Sequence, residues 1–514
     1  MTYAVSLDLD SVASRKQLGL PQLETGCAPM FRRRDTMSTD FRDGETSTLG
    51  WDSSFAICLK DVNAAIAKDK RWPTSFEILI DPQEDYAMKG TFGPWQMTQG
   101  GSGGIVMLAI PIATGAMTIS QDGSIVSYPM DGSVAIVSVK LRYVTAPLSA
   151  QPLESSTERM SLMTDPQARS VADPAVVLHG FEFLDPAPSP YVQLLMKAGM
   201  ETWFNDNIAL FAHVFAVVSL NDVSGGAFQW LKPTYSAYAY LDGATEEDSF
   251  FGVISMTENR SVAGLANQLG PNCVPKGSPA GFTIGMARYL EKVMLPSLTK
   301  AFSNATTSTF TLVANNRLIV NTESFKLNPV KVNGTSYTPQ LEIFEAQVLG
   351  EEMQIHVRTK IPISPGIRAM VDSVAYQKIV LVQKPDGGQT LDFKDGRPTA
   401  TNHWIEVDDG VKITQIVVSI VGAVAGVAAE AFEATAKVIL AAVLITIVAG
   451  VASLIPDLIA EVAGGGAAAV LPPIGGFAQG ATGTVQWPDA GQFELAQAGL
   501  NGAFQFGGTL QFTF

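Results

Sequence analysis

Residues 413–470 constrain this chain more than any other stretch, because they are far more apolar than what precedes them. Two uncharged runs, 413–429 and 438–456, flank a charged patch of Glu430, Glu433 and Lys437. At i, i+3 and i+7 those charges fall along one helical stripe and leave the other faces apolar. Glu433 and Lys437 also have the order and spacing of a stabilising ion pair. Residues 427–449 contain neither Gly nor Pro, so one long helix and a hairpin of two both fit.

A bilayer core asks for about 20 apolar residues. The first run falls short of that and the second only just qualifies. Gly422 and Gly426 form a GxxxG step, a spacing that lets helices approach closely in lipid. Two destinations follow for the stretch. It is either enclosed by the rest of the protein, or it meets lipid, with Val417, Ile420, Val443 and Ile447 as the membrane-contact candidates.

The 514 residues allow two to four core-forming units at roughly 150 residues each. Hydrophobic residues make up 46% and the mean hydropathy is +0.19, high for a chain dissolved in water. The net charge of −15 argues against an electrostatic grip on nucleic acid, which needs a basic surface. Cys27, Cys58 and Cys273 are too far apart for a metal knuckle and too few for a disulfide framework, so buried free thiols are expected. The first residues lack the charged leader and apolar core of a secretory signal. The expectation is cytoplasmic synthesis, with any release by a non-classical route or by lysis.

Met1–Ser47 mixes Pro, Gly, Ser, Thr and Asp with an Arg32-Arg33-Arg34 cluster, and reads as a solvated extension. Beyond it, Phe55, Ile57 and Leu59 alternate as in a strand, then Val62, Ala65 and Ile66 take helical spacing. Gly100-Gly101-Ser102-Gly103-Gly104 fits the GxSxG pattern of a hydrolase elbow. That elbow needs a strand before it and a helix after it. A strand-like run follows instead, and a flexible loop is the expectation. Residues 104–119 and 133–144 read as long strands, with Ala135, Val137, Val139, Leu141 and Tyr143 on one face and Ser138, Lys140 and Arg142 on a wet one. Residues 145–190 read as a long connection. A helix then begins near Tyr191 with Val192, Leu195, Met196, Gly199, Met200 and Trp203 along one stripe.

Further on, residues 282–302 give a helix with Met286, Tyr289, Leu290, Val293 and Met294 inward and Arg288, Glu291 and Lys292 outward. Pro296 should kink it. Strands follow over 310–320, 339–349, 353–363 and 378–383. In the third, Met353, Ile355 and Val357 alternate with Gln354, His356 and Arg358 on a second wet face. The Gly/Pro-rich residues 471–483 lead to short terminal strands.

Five pieces stand out: Thr48-Leu49-Gly50-Trp51-Asp52, His213-Val214-Phe215-Ala216, Gln229-Trp230-Leu231-Lys232-Pro233-Thr234 with Tyr238-Ala239-Tyr240, Pro275-Lys276-Gly277-Ser278-Pro279-Ala280-Gly281-Phe282, and the closing residues 493–508. Together they resemble the clostridial P-forty-seven / OrfX-type family, whose members are encoded beside botulinum neurotoxins. The resemblance runs from about Thr48 to the C-terminus. It implies an α+β, elongated tubular lipid-binding (TULIP) fold, with long helices wrapped by strongly curved antiparallel β-sheets. The expected organisation is a flexible extension over 1–47, a β-rich part over 48–190 and a helix-plus-sheet part over 191–410. An apolar helical segment over 411–474 and completing strands over 475–514 follow.

Little in the chain points to catalysis. His179, His213, His356 and His403 have no His or Cys at metal-ligand spacing, and no phosphate loop or dinucleotide fingerprint occurs. No enzyme activity, cofactor or metal is expected. The reading is a lipid- or hydrophobic-ligand-binding protein, phosphoinositide included among its ligands, that accompanies other proteins of a toxin cluster. Leu195, Met196, Met200, Tyr289, Val293 and Met294 are the lipid-lining candidates. The alternatives are a membrane-inserting toxin component that uses residues 413–470 on a membrane surface, and an assembly protein of a toxin complex with no ligand.

Overall fold

The computed structural model describes all residues except 1–43, 71, 82–85, 146–158, 165–168, 171–172, 208–216, 220–227, 451–453, 483–484, 487–489 and 513–514. Cys27, the Arg32–Arg34 cluster and His213 therefore lie outside the described residues. The chain divides into two compact units. One comprises Thr48–Thr283, Gln479–Ala496 and Gly507–Phe514, and the other Met1–Ser47, Ile284–Ala478 and Gln497–Phe506. The division falls inside the stretch 191–410, and the C-terminal strands contribute to both units.

In the first unit, Ser53–Cys58 is a strand that runs directly into helix α1, Leu59–Asp69, where the spacing of apolar residues changes from two to helical. The strand lies inside a six-stranded sheet, between Phe250–Thr257 and Ala280–Ile284. Gly252 is needed there, since a Cβ at this position would sit 2.6 Å from the Phe55 carbonyl oxygen. A second, ten-stranded sheet contains the long strands Ile105–Gln121 and Val134–Thr145. Helix α2, Pro190–Asp206, buries Val192, Met196, Gly199, Met200 and Trp203 of the stripe expected from its spacing, together with Phe204, and leaves Leu195 of that stripe half-buried.

Two expectations for this unit are corrected. Gly100, Gly101 and Ser102 belong to the strand Gln96–Ser102, which turns back through Gly103-Gly104 into Ile105, so the segment is a hairpin rather than a free loop. Residues 145–190 hold more than a connection, because Val176–Glu182 pairs antiparallel with Val134–Thr145. Its alternation is interrupted by a register shift between Leu178 and Gly180, which hid the strand period.

The second unit is built on a seven-stranded sheet. Four long strands form most of it: β1 (Gln340–Leu349), β2 (Glu352–Ser364), β3 (Ile367–Gln383) and β4 (Gln389–Val407). They pair in sequence order, each antiparallel to the next, with β4 at the edge. The 19-residue β4 was not expected, because DFKDGRPTATNHW is polar and contains a proline. An edge strand tolerates both features, and the register shifts beside Arg397 absorb Pro398.

The apolar stretch becomes helix α4, Gln415–Ala449, a single helix of 35 residues. The Thr414 side chain accepts a hydrogen bond from the Val417 N–H at its start. Gly450, at φ +84°, ends it in a conformation that suits glycine. The two halves of α4 differ. From Ile439 to Val448 every residue is buried, as a helix apolar on all sides requires. From Val417 to Ala429 only one side is covered, where Val421, Val424, Ala425 and Ala428 pack on Ile361, Ala369 and Val371 of the sheet and on the hairpin residues Val330 and Val332.

Before the sheet runs helix α3, made of Met286–Tyr289, a π-helical turn Leu290–Met294 and Leu295–Ala301. The π turn immediately precedes Pro296, whose ring nitrogen has no hydrogen to donate. The helix is shorter than expected, since Phe282 to Ile284 belong to the strand Ala280–Ile284. Arg288, expected outward, is 1% exposed and ion-paired to Glu291 at 2.8 Å. Ser297 meets Thr446 of α4 at 3.0 Å. Each hydroxyl is also bonded within its own helix, to the Val293 carbonyl and to the Ala442 carbonyl. The Gly/Pro-rich connection contains an eight-residue helix, Gly475–Thr482.

The sheet face opposite α4 is polar but not wet. The two ring nitrogens of His356 lie 2.9 Å from Glu345 and 2.6 Å from Asp372, and Arg358 donates to the other Asp372 oxygen at 2.9 Å. Asp372 is 0% exposed and the Arg358 guanidinium lies over Trp404. Cross-strand pairing of opposite charges lets these groups bury one another. Burial alone pushes the imidazole toward its neutral form. The hydrogen bonds and charges of Asp372 and Glu345 outweigh it and raise the His356 pKa from 6.5 to about 9. Asp372 is held below the usual carboxylate range, because His356 and Arg358 overcome its burial.

Three outcomes follow. Leu444→Ala, at a site 0% exposed, should destabilise this unit by about 2–5 kcal/mol in urea titrations. Val418→Ala, 50% exposed, should change it by less than about 0.5 kcal/mol. His356 binds its proton more tightly folded than unfolded, so its stabilisation is full below pH 6.5 and is lost as pH rises through 9. The stability gap between the native chain and His356→Gln should therefore close between those pH values, and a gap that stays constant contradicts this.

Candidate functional site

The second unit contains a cavity of about 110 Å³ between α4 and the sheet. Its helical wall is Ala428, Ala431, Phe432 and Thr435, which at i, i+3, i+4 and i+7 form one stripe of α4. Alanine at two of the four positions leaves the room. The sheet supplies Leu341 of β1 with its cross-strand partner Thr359 and neighbour Val357 of β2. These sit on the face that carries α4, opposite His356 and Arg358.

Aromatic packing makes the third wall rigid. Phe302, at the end of α3, meets Phe325 and Phe344 edge to face, each at 5.7 Å between ring centroids, and Phe310 packs on Phe344 at 5.0 Å. The rim is polar and exposed, with Ser303, Asn304, Lys326 and Asn328. Asn304 donates to the Lys326 carbonyl at 2.9 Å and Ser303 to the Asn328 side-chain oxygen at 3.3 Å, which ties the end of α3 to the segment after Phe325. The site is thus an apolar slot with a hydrogen-bonding mouth, the general form of a small-ligand pocket.

None of the six lipid-lining candidates borders this cavity. Met196 and Met200 are buried in the first unit and Leu195 beside them is half-buried. Tyr289, Val293 and Met294 are buried in α3, where Tyr289 stacks on Phe504 at 5.6 Å. Of the membrane-contact candidates, Val443 and Ile447 are buried, while Val417 and Ile420 are half-buried beside the sheet. Helix 417–449 is long and apolar enough to cross a membrane, yet 67% of its most apolar window is buried. Gly422 and Gly426 face open space.

Several groups that could carry chemistry are held by the fold. Burial pushes the Cys58 thiol up to about 11 and the Cys273 thiol up to about 12, far from a reactive thiolate. His179 bonds Ser138 at 3.0 Å. Among the described residues no group of three or more His, Cys, Asp or Glu is arranged to hold a metal ion.

The segments that carry the family resemblance serve the fold. Trp51 donates its indole N–H to the Ala266 carbonyl at 2.9 Å and stacks on Tyr235. Asp52 accepts from both the backbone and the hydroxyl of Thr257 and pairs with Arg260. Tyr238 and Tyr240 are buried strand residues. The piece His213–Ala216 lies outside the described residues.

Comparison with known proteins bears out the family resemblance. The chain is 27% identical to Protein OrfX3 of Paraclostridium bifermentans over 498 residues, covering 91% of this chain and 99% of that one. It is 26% identical to Protein OrfX3 of Clostridium botulinum (strain Kyoto / Type A2) over 504 residues, covering 91% and 99%. Among solved structures, P47 from Clostridium botulinum A2 superposes with a TM-score of 0.60 at 15% identity, over 90% of this chain and 98% of that one. P47 of Clostridium botulinum E1 gives 0.57 at 16% identity, over 90% and 100%. Those structures share the α+β fold of antiparallel sheets with a few helices. Residues 48–508 match the family described as OrfX-like, Protein OrfX2/OrfX3/P47, and the chain belongs to that family.

Proposed function

We propose that this chain is a non-catalytic binding protein for a lipid or other apolar ligand, of the tubular lipid-binding type, serving as an accessory component of a toxin gene cluster. The observation that carries the reading is the slot between α4 and the sheet, apolar inside and polar at its mouth. Its helical stripe from Ala428 to Thr435 is about 10 Å long at the usual helical rise. Roughly eight methylenes fit such a length, and at about 0.8 kcal/mol each they contribute about 6 kcal/mol. Micromolar affinity requires about 8 kcal/mol, so the polar mouth has to supply the difference.

A second reading, contact with a membrane surface, is favoured by the exposed side of α4. No charge occurs from Ile413 to Ala429, and Ile413 and Val418 are exposed. On this reading the first half of α4 lies against lipid while the second half stays in the core.

Ala431→Trp, at the exposed lip of the slot, tests the first reading. It should weaken binding of a medium-chain amphiphile by at least about tenfold in calorimetric titration, with the thermal midpoint of the protein unchanged. Unaltered binding in this variant would show that the slot is not where the ligand sits. Dye release from vesicles mixed with the full chain at neutral and acidic pH tests the second, and intact vesicles with no bound protein would remove it.

A further inference from the structure

Of the seventeen residues that line the slot, Lys326 is the one that carries a charge, and no acid lines it. In a chain with 49 acidic against 34 basic residues, a cavity with a cation and no anion is a chemical bias. The Lys326 ammonium makes no ion pair among the described residues, and its strand, Phe325–Lys326, is held in place through backbone contacts. Of the two acids on α4 between Ala428 and Thr435, Glu433 is paired with Lys437 at 3.5 Å and Glu430 is exposed, and neither lines the slot. Asn304 and Asn328 add amide groups to the same rim, with further capacity for an anion's oxygens. Phe302, Leu341, Val357 and Phe432 behind them offer only apolar surface.

We infer that the slot selects a single-chain amphiphile with an anionic head, a carboxylate or a phosphate monoester. Its chain lies along Ala428–Thr435 and its head against Lys326. The inference rests on the apolar-ligand reading above and narrows it. Two chains would not fit, since about 110 Å³ is of the order of a cavity that takes one small apolar molecule. A charge-assisted hydrogen bond from an ammonium at the mouth distinguishes an acid from an alcohol of the same length.

The test is titration of the full chain with octanoate, octyl phosphate and octanol. Both acids should bind about tenfold more tightly than the alcohol, and added salt should weaken the acids alone. Lys326→Gln should bring the acids down to the level of octanol and leave octanol within about twofold, while Lys300→Gln, outside the slot, should change neither. Tighter binding of one acid than the other then tells a fatty acid from a phosphate-headed lipid. Equal affinity for acids and alcohol, or an equal loss of all three in Lys326→Gln, overturns the head-group assignment and leaves the apolar-ligand reading standing. Failure of all three to bind the native chain overturns both.

Discussion

Everything in the second unit answers to one constraint, the need to keep the later half of α4 out of water. Ile439, Leu440, Val443, Leu444, Ile445 and Ile447 are essentially inaccessible. At about 2 kcal/mol for each large apolar side chain, exposing the six would cost on the order of 10 kcal/mol. That equals the whole net stability of an ordinary domain, about 5–15 kcal/mol. Exposing this half of the helix to water therefore amounts to unfolding the unit that encloses it. The two hydroxyls at the contact with α3, Ser297 and Thr446, fit because each donates its one hydrogen to a carbonyl of its own helix.

The sheet serves both of its faces. Toward α4 it presents Val357, Ile361, Ala369 and Val371, and the cavity opens where the helix offers alanine instead of a larger residue. On the other side, His356, Asp372, Glu345 and Arg358 neutralise one another across three strands. A polar face of this kind fixes strand register, because a slip of one residue would leave Asp372 buried without a cation.

Much of the fold was legible in the residues. The change from period two to helical spacing after Phe55 and Ile57 located the first strand and α1, and the stripe from Val192 to Trp203 located α2. Uniform apolarity located α4, and the spacing of Glu433 and Lys437 gave its ion pair. What was missed has physical causes. An edge strand such as β4 is polar because only one of its sides pairs, so it carries no hydrophobic period. Arg288 and His356 look solvent-facing until their partners, Glu291 and Asp372, are placed beside them. The slot was missed because its space is made by Ala428 and Ala431, whose small side chains leave no distinctive pattern. The large, adaptable residues expected to line a ligand, Met196, Met200 and Met294, are buried elsewhere in the fold.

Hydrogen exchange along α4 tests the central claim most directly. Amides from Ile439 to Val448 should exchange only through global unfolding of their unit, with protection equal to its full stability, while those from Val417 to Ala429 exchange faster through local opening. Exchange of the 439–448 amides as rapid as that of 417–429 would mean that this helix is not enclosed, and the account of the core built around it would be wrong.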